Sequence, residues 1–114
     1  MKVIAELTLV PIGAGVSLSP FVAACGEVLR AAGVKSELHA NGTNLEGEWD
    51  AVLAAVRRCH EEVHRMGAPR IFSTLKINTR TDRDQTMAEK IASVERRYPA
   101  GSREKVPPGK GRKS

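Results

Sequence analysis

Aromatic side chains are nearly absent from this chain: Phe21, Trp49, Phe72 and Tyr98 are the complete set in 114 residues. A core built from it must therefore rest on aliphatic side chains, and any ring stacking has few places to occur. No run approaches the roughly 20 consecutive apolar residues of a membrane span, so no membrane association is expected. The apolar N-terminal stretch is interrupted by Glu6, and Pro11 to Gly15 lacks the small-residue pattern of a cleavage site, so a secretory signal is not expected. Cysteine is equally sparse. Cys25 and Cys59 are the only two and fall on apolar faces of predicted helices, which points to buried thiols and a cytoplasmic location. What is plentiful is aliphatic and charged residue, with 41% hydrophobic and 27% charged, enough for one packed core.

The net charge of +5 is concentrated at one end. From Pro99 to Ser114, Arg103, Lys105, Lys110, Arg112 and Lys113 stand against Glu104 alone, leaving residues 1–98 a net charge of +1. A basic face of the kind that tracks a phosphate backbone is missing from that near-neutral part, so nucleic acid is not an expected partner. The segment 99–114 has almost nothing apolar to bury and is read as a disordered basic tail, leaving 1–98 as the folded domain.

Residues 2–10 alternate as a strand and are closed by Pro11-Ile-Gly-Ala-Gly15. Ser19-Pro20 reads as N-cap and first helical position, followed by a stripe of Phe21, Ala24, Cys25, Val28, Leu29 and Ala32 and a closing Gly33. Val34 to Asn41 alternates again, Asn41-Gly42 is a hairpin-turn signal, and Thr43 to Glu46 returns as a short strand. Trp49, Val52, Leu53, Val56, Cys59, His60 and Val63 form the stripe of a second helix, ended by Gly67-Ala68-Pro69. Arg70 to Thr79 is a fourth strand. Asp82 with Gln85 resembles a capping box ahead of a last helical stripe of Met87, Ile91, Val94 and Tyr98.

The order is β-α-β-β-α-β plus a helix. It defines an α+β fold: a ferredoxin-like βαββαβ sandwich, a four-stranded antiparallel sheet with an additional C-terminal helix. If Leu38, Leu45 and Leu75 face the helices, the other face carries Glu37, His39, Asn44, Glu46, Thr74 and Lys76, joined by Glu6 and Thr8. Such a patterned polar face suits an interface or a ligand better than plain solvation. Lys76, in the middle of a stacked sheet, would need Glu6, Glu37, Glu46 or a ligand as partner.

Several segments in order resemble the thiamine-binding protein family. They are Val10-Pro-Ile-Gly-Ala-Gly15, Ser17-Leu-Ser-Pro20, Glu37-Leu-His-Ala-Asn-Gly-Thr43, Glu46-Gly-Glu-Trp49, Gly67-Ala-Pro-Arg70, Ser73-Thr-Leu-Lys-Ile77 and Asp82-Arg-Asp84. The resemblance runs over roughly residues 3–97 and implies a ferredoxin-like domain, homodimers or homotetramers formed through the sheet, and thiamine or its pyrimidine portion as ligand, with no cofactor required. Asn41 stands where that family commonly has Met, and Phe21 where Tyr is common. Thiamine joins a cationic thiazolium to a flat aminopyrimidine. Carboxylates such as Glu46 would offset the cation, while hydroxyls of Ser17, Ser19, Thr43 and Thr74 would bond the pyrimidine edge or the hydroxyethyl group. With His39 and Lys76 these are the candidate ligand residues.

His60-Glu61-Glu62-Val63-His64 matches the H-E-x-x-H pattern of zinc hydrolases. His60 lies inside the apolar stripe, Glu61 turns away from it, and the one other histidine in the chain is His39, so a structural pair is the preferred reading and no metal site is expected. Gly13-Ala-Gly15 lacks the Lys-Ser/Thr of a phosphate loop and reads as a turn, although the helix start behind it, with Ser17 and Ser19, offers donors to an anion or a hydroxyl. No nucleophile has an activating base in place, so no catalytic residue is assigned. A non-enzymatic small-molecule binding protein, holding its ligand at the sheet face or oligomer interface, is the expectation, with a ligand-free interaction module and a zinc hydrolase as the alternatives.

Overall fold

The computed structural model describes residues 1–98, so the expected tail lies outside the described residues. The elements are β1 (Lys2–Ile12), α1 (Ser19–Ala31), β2 (Lys35–His39), β3 (Gly42–Glu48), α2 (Trp49–Arg65), β4 (Arg70–Asn78) and α3 (Met87–Glu95). The four strands form one sheet in the order β2-β3-β1-β4, every neighbour antiparallel. This is the ferredoxin-like arrangement that the element order implies. The chain divides into two compact units, Met1–Asp84, which holds the sheet with α1 and α2, and a second that begins at Gln85 and holds α3.

The core lies between one face of the sheet and α1 and α2. Val3, Ala5 and Leu7 of β1 and Leu45 of β3 meet Phe21, Cys25 and Leu29 of α1 and Val52, Ala55, Cys59 and Val63 of α2. Ile71 and Leu75 of β4 pack against this cluster. Among the described residues no polar or charged side chain is buried and no buried polar side-chain atom lacks a partner, so the interior is held by apolar burial alone.

Both long helices of this unit end in the same way. The Val34 N–H donates to the Leu29 carbonyl and the Ala68 N–H to the Val63 carbonyl, while Gly33 (φ +74°) and Gly67 (φ +109°) turn the chain through the left-handed region. That geometry sends Val34 and Ala68 directly into the core. The starts differ from expectation. α1 is capped at Leu18 with no side-chain bond, because Ser19 is already its first residue. Glu48 precedes α2 without a side-chain cap and instead lies 3.1 Å from the Met1 amino group. The capping box sits at Thr86 and Glu89, not at Asp82 and Gln85, and Asp82 pairs with Arg80.

The β2–β3 hairpin also departs from the sequence reading. His39 pairs with Gly42, so the loop residues are Ala40 and Asn41, and neither has positive φ. Gly42 serves the sheet, not the turn: a Cβ there would lie 3.0 Å from the Leu7 carbonyl oxygen and 3.2 Å from Thr8 Oγ1. A side chain at this position would press on β1 at its closest approach to β3. Trp49 is not the buried anchor its position suggests. It is 38% exposed, and its backbone N–H donates to the Met1 carbonyl at 2.9 Å.

Candidate functional site

Strand alternation separates the side chains of the sheet into two sets. On the face away from α1 and α2, Glu6 pairs across the strands with Lys76 on one side and with Asn44 on the other. Its carboxylate bridges two side chains: Oε1 lies 3.3 Å from Lys76 Nζ and Oε2 lies 3.1 Å from His39 Nε2. The Asn41 backbone N–H donates to His39 Nδ1 at 3.3 Å, which assigns the imidazole proton to Nε2, where it faces Glu6. The Thr8 hydroxyl donates to the Asn41 carbonyl at 3.2 Å, tying the hairpin loop to β1. Thr74 is the cross-strand neighbour of Thr8, and Glu46 is the neighbour of Lys35 and Ile4 one row towards the other end. Val10 and Phe72 continue the face as an adjacent, exposed apolar pair, with the Arg70 guanidinium 5.2 Å from the Phe72 ring centre.

The other set borders a cavity. Between α1, the second half of β1 and the β2–β3 hairpin lies a hollow of about 650 Å3, within the range of small-molecule sites. Its walls are mainly apolar: Leu7 and Leu9 from β1, Phe21, Val22 and Cys25 from α1, and Leu38 from β2. Ser19, Thr43 and His39 supply polar groups to the same lining. The hollow opens towards the end of β2, a short edge strand, beside the hairpin. Leu38 points to the helix side, in register with Thr43 and Leu7, yet is 70% exposed.

The seven candidate ligand residues are therefore distributed over two regions. His39, Thr74, Lys76 and Glu46 lie on the open sheet face, where Glu6 joins His39 to Lys76. Ser19 and Thr43 line the cavity, and His39 at the hairpin borders both. Ser17 is exposed in the loop before α1 and does not line the cavity. The apolar walls were not among those candidates. One signal for them existed: a leucine on the inward side of an edge strand, opposite the first turns of an amphipathic helix, has no partner unless something fills the gap.

The H-E-x-x-H residues are occupied with structure. His60 Nε2 lies 2.7 Å from Ser73 Oγ on β4, and His64 Nδ1 donates to the Ala68 carbonyl at 2.8 Å, holding the end of α2. Their rings are 6.4 Å apart and tilted, and among the described residues no group of three His, Cys, Asp or Glu side chains is arranged to hold a metal ion. Cys25 and Cys59 are buried free thiols at the contact of α1 with α2.

A ferredoxin-like sheet with an apolar hollow under its edge hairpin defines a small α+β domain with room for a small molecule. Comparison with known proteins narrows this class. The sequence profile described as "Thiamine-binding protein" matches residues 5–95, and the chain belongs to that family. The UPF0045 protein sll0230 of Synechocystis is 59% identical over 95 residues, which cover 83% of this chain and 78% of that protein. A UPF0045 protein of Methanothermobacter thermautotrophicus is 42% identical over 92 residues, 79% of this chain and 93% of that one. Among solved structures, the hypothetical protein MJ1052 of Methanocaldococcus jannaschii matches with a TM-score of 0.77 and 36% identity, covering 82% of this chain and 95% of its own.

Proposed function

We propose that this protein binds thiamine or its aminopyrimidine portion without catalysing a reaction, and that the cavity beneath the β2–β3 hairpin is the site. The observation that carries this reading is the cavity itself: a mainly apolar hollow of about 650 Å3, with hydroxyls at Ser19 and Thr43, inside the segment the family profile covers. A flat pyrimidine fits between Phe21 and Leu38, with Ser19 and Thr43 bonding its edge. Binding without catalysis accords with the roles of the two histidines of the H-E-x-x-H segment, since His60 and His64 hold structure.

The open face supports self-association as the companion proposal. Val10 and Phe72 are exposed beside a polar row, and a second sheet packed there would bury them. Free thiols suit a cytoplasmic protein, and among the described residues no helix is long and apolar enough to cross a membrane. Isothermal titration with thiamine, its phosphates and hydroxymethyl-pyrimidine tests the binding claim. Saturable heat at one site per chain, reduced at least tenfold in affinity by Thr43→Val or Leu38→Arg, is expected. Absence of heat with all of them contradicts it.

A further inference from the structure

Cys25 and Cys59 are 34 residues apart in the chain but meet where α1 packs on α2, and the Cys59 sulfur lies 3.8 Å from the Cys25 carbonyl oxygen. The two thiols differ in access. Cys59 is fully enclosed, whereas Cys25 is 8% exposed and forms part of the cavity wall. We infer that the pair is an oxidisable dithiol, which closes to an intramolecular Cys25–Cys59 disulfide when a small peroxide enters the cavity.

The electron balance is that of a two-electron thiol oxidation. The Cys25 thiolate attacks one peroxide oxygen, an S–O bond forms, the O–O bond breaks, and the departing hydroxide takes up a proton to become water. The Cys59 sulfur then turns from the Cys25 carbonyl onto the Cys25 sulfur. An S–S bond forms, the S–O bond breaks, and the released hydroxide is protonated to a second water, so two thiols are oxidised and one peroxide is reduced. Cys25 is the attacking sulfur because it forms part of the cavity wall, whereas Cys59 is fully enclosed behind it. The product ties α1 to α2 and removes a thiol from the cavity wall.

The test uses the full chain under native, non-reducing conditions with hydrogen peroxide, in the absence of any ligand, so its outcome is independent of the thiamine reading. Trypsin releases Cys25 in the peptide 3–30 and Cys59 in the peptide 59–65. The expected product is a monomer that has lost two hydrogens, in which these two peptides are cross-linked and separate on addition of dithiothreitol. Cys59→Ala should instead accumulate a sulfenic acid at Cys25, trapped by dimedone, which the parent chain does not. The inference is overturned if both thiols stay titratable while the urea-unfolded chain oxidises, if Cys25 proceeds to sulfinic acid with Cys59 still free, or if only intermolecular disulfides form.

Discussion

Glu6 shows what a single side chain does in this sheet. Its carboxylate is only about one-third exposed and lies against both His39 and Lys76, although Lys76 itself extends largely into solvent. Ion pairs of this exposure contribute about 0.2–1 kcal/mol, so Glu6→Gln should move the urea midpoint by little while releasing the His39 ring, visible as changed imidazole resonances. Gly42→Ala is a different case. Its Cβ would press on the Leu7 carbonyl and on Thr8, backbone and short side chain that cannot move aside, and urea denaturation should show a loss of about 1–3 kcal/mol. A third residue-scale expectation concerns pH. Arg80 holds the Asp82 carboxyl at about 2, below its ordinary value of 3.8, so the stability it lends is present above that ordinary value and is lost as pH falls towards 2. Arg80→Ala should raise the Asp82 midpoint, followed by side-chain NMR, towards its ordinary value.

Elements were legible where a period of two or 3.6 residues ran against a single core. Phe21, Cys25 and Leu29 are the buried line of α1, as their spacing predicts, and Val52, Cys59 and Val63 that of α2. The interior offers no polar alternative to those contacts. Leu29→Ala, at 1% exposure, is expected to cost about 2–5 kcal/mol by chemical denaturation, and Leu38→Ala almost nothing, although both are leucines on the inner side. That contrast marks where sequence reading stopped. Alternation places Leu38 on the helix face, but whether a helix reaches that far depends on strand order and helix length, which no local pattern encodes. Asn41-Gly42 misled for a related reason: glycine was read as turn chemistry, whereas its cause is the neighbouring strand β1, distant in sequence. The cap of α1 falls on Leu18, which offers no side-chain acceptor, because Ser19 is already helical, whereas Asp82, Asp84 and Thr86 all precede α3 and only the backbone angles select Thr86.

On the scale of the whole unit, the fold turns one sheet into two chemically distinct surfaces. The open face carries a charged row centred on Glu6 and an apolar pair, Val10 and Phe72, and we expect it to pair with another copy. Size-exclusion chromatography with light scattering should report an oligomer that Phe72→Asp shifts towards monomer. The inner side carries the core and, under the uncovered edge, the cavity. The site residues selected from sequence mixed these two surfaces, because residue type and family resemblance do not state on which side of a strand a ligand enters. The geometry separates them, and the separation can be measured. A thermal-shift titration with thiamine and hydroxymethyl-pyrimidine, run in parallel on the parent chain, Leu38→Arg and Lys76→Ala, tests the central claim most directly. Ligand at a hundredfold excess over its dissociation constant stabilises by about 2.7 kcal/mol, a shift of several degrees in a domain this small. The cavity account predicts that shift in the parent and in Lys76→Ala and its loss in Leu38→Arg; a shift kept by Leu38→Arg and lost in Lys76→Ala would place the site on the open face and contradict it.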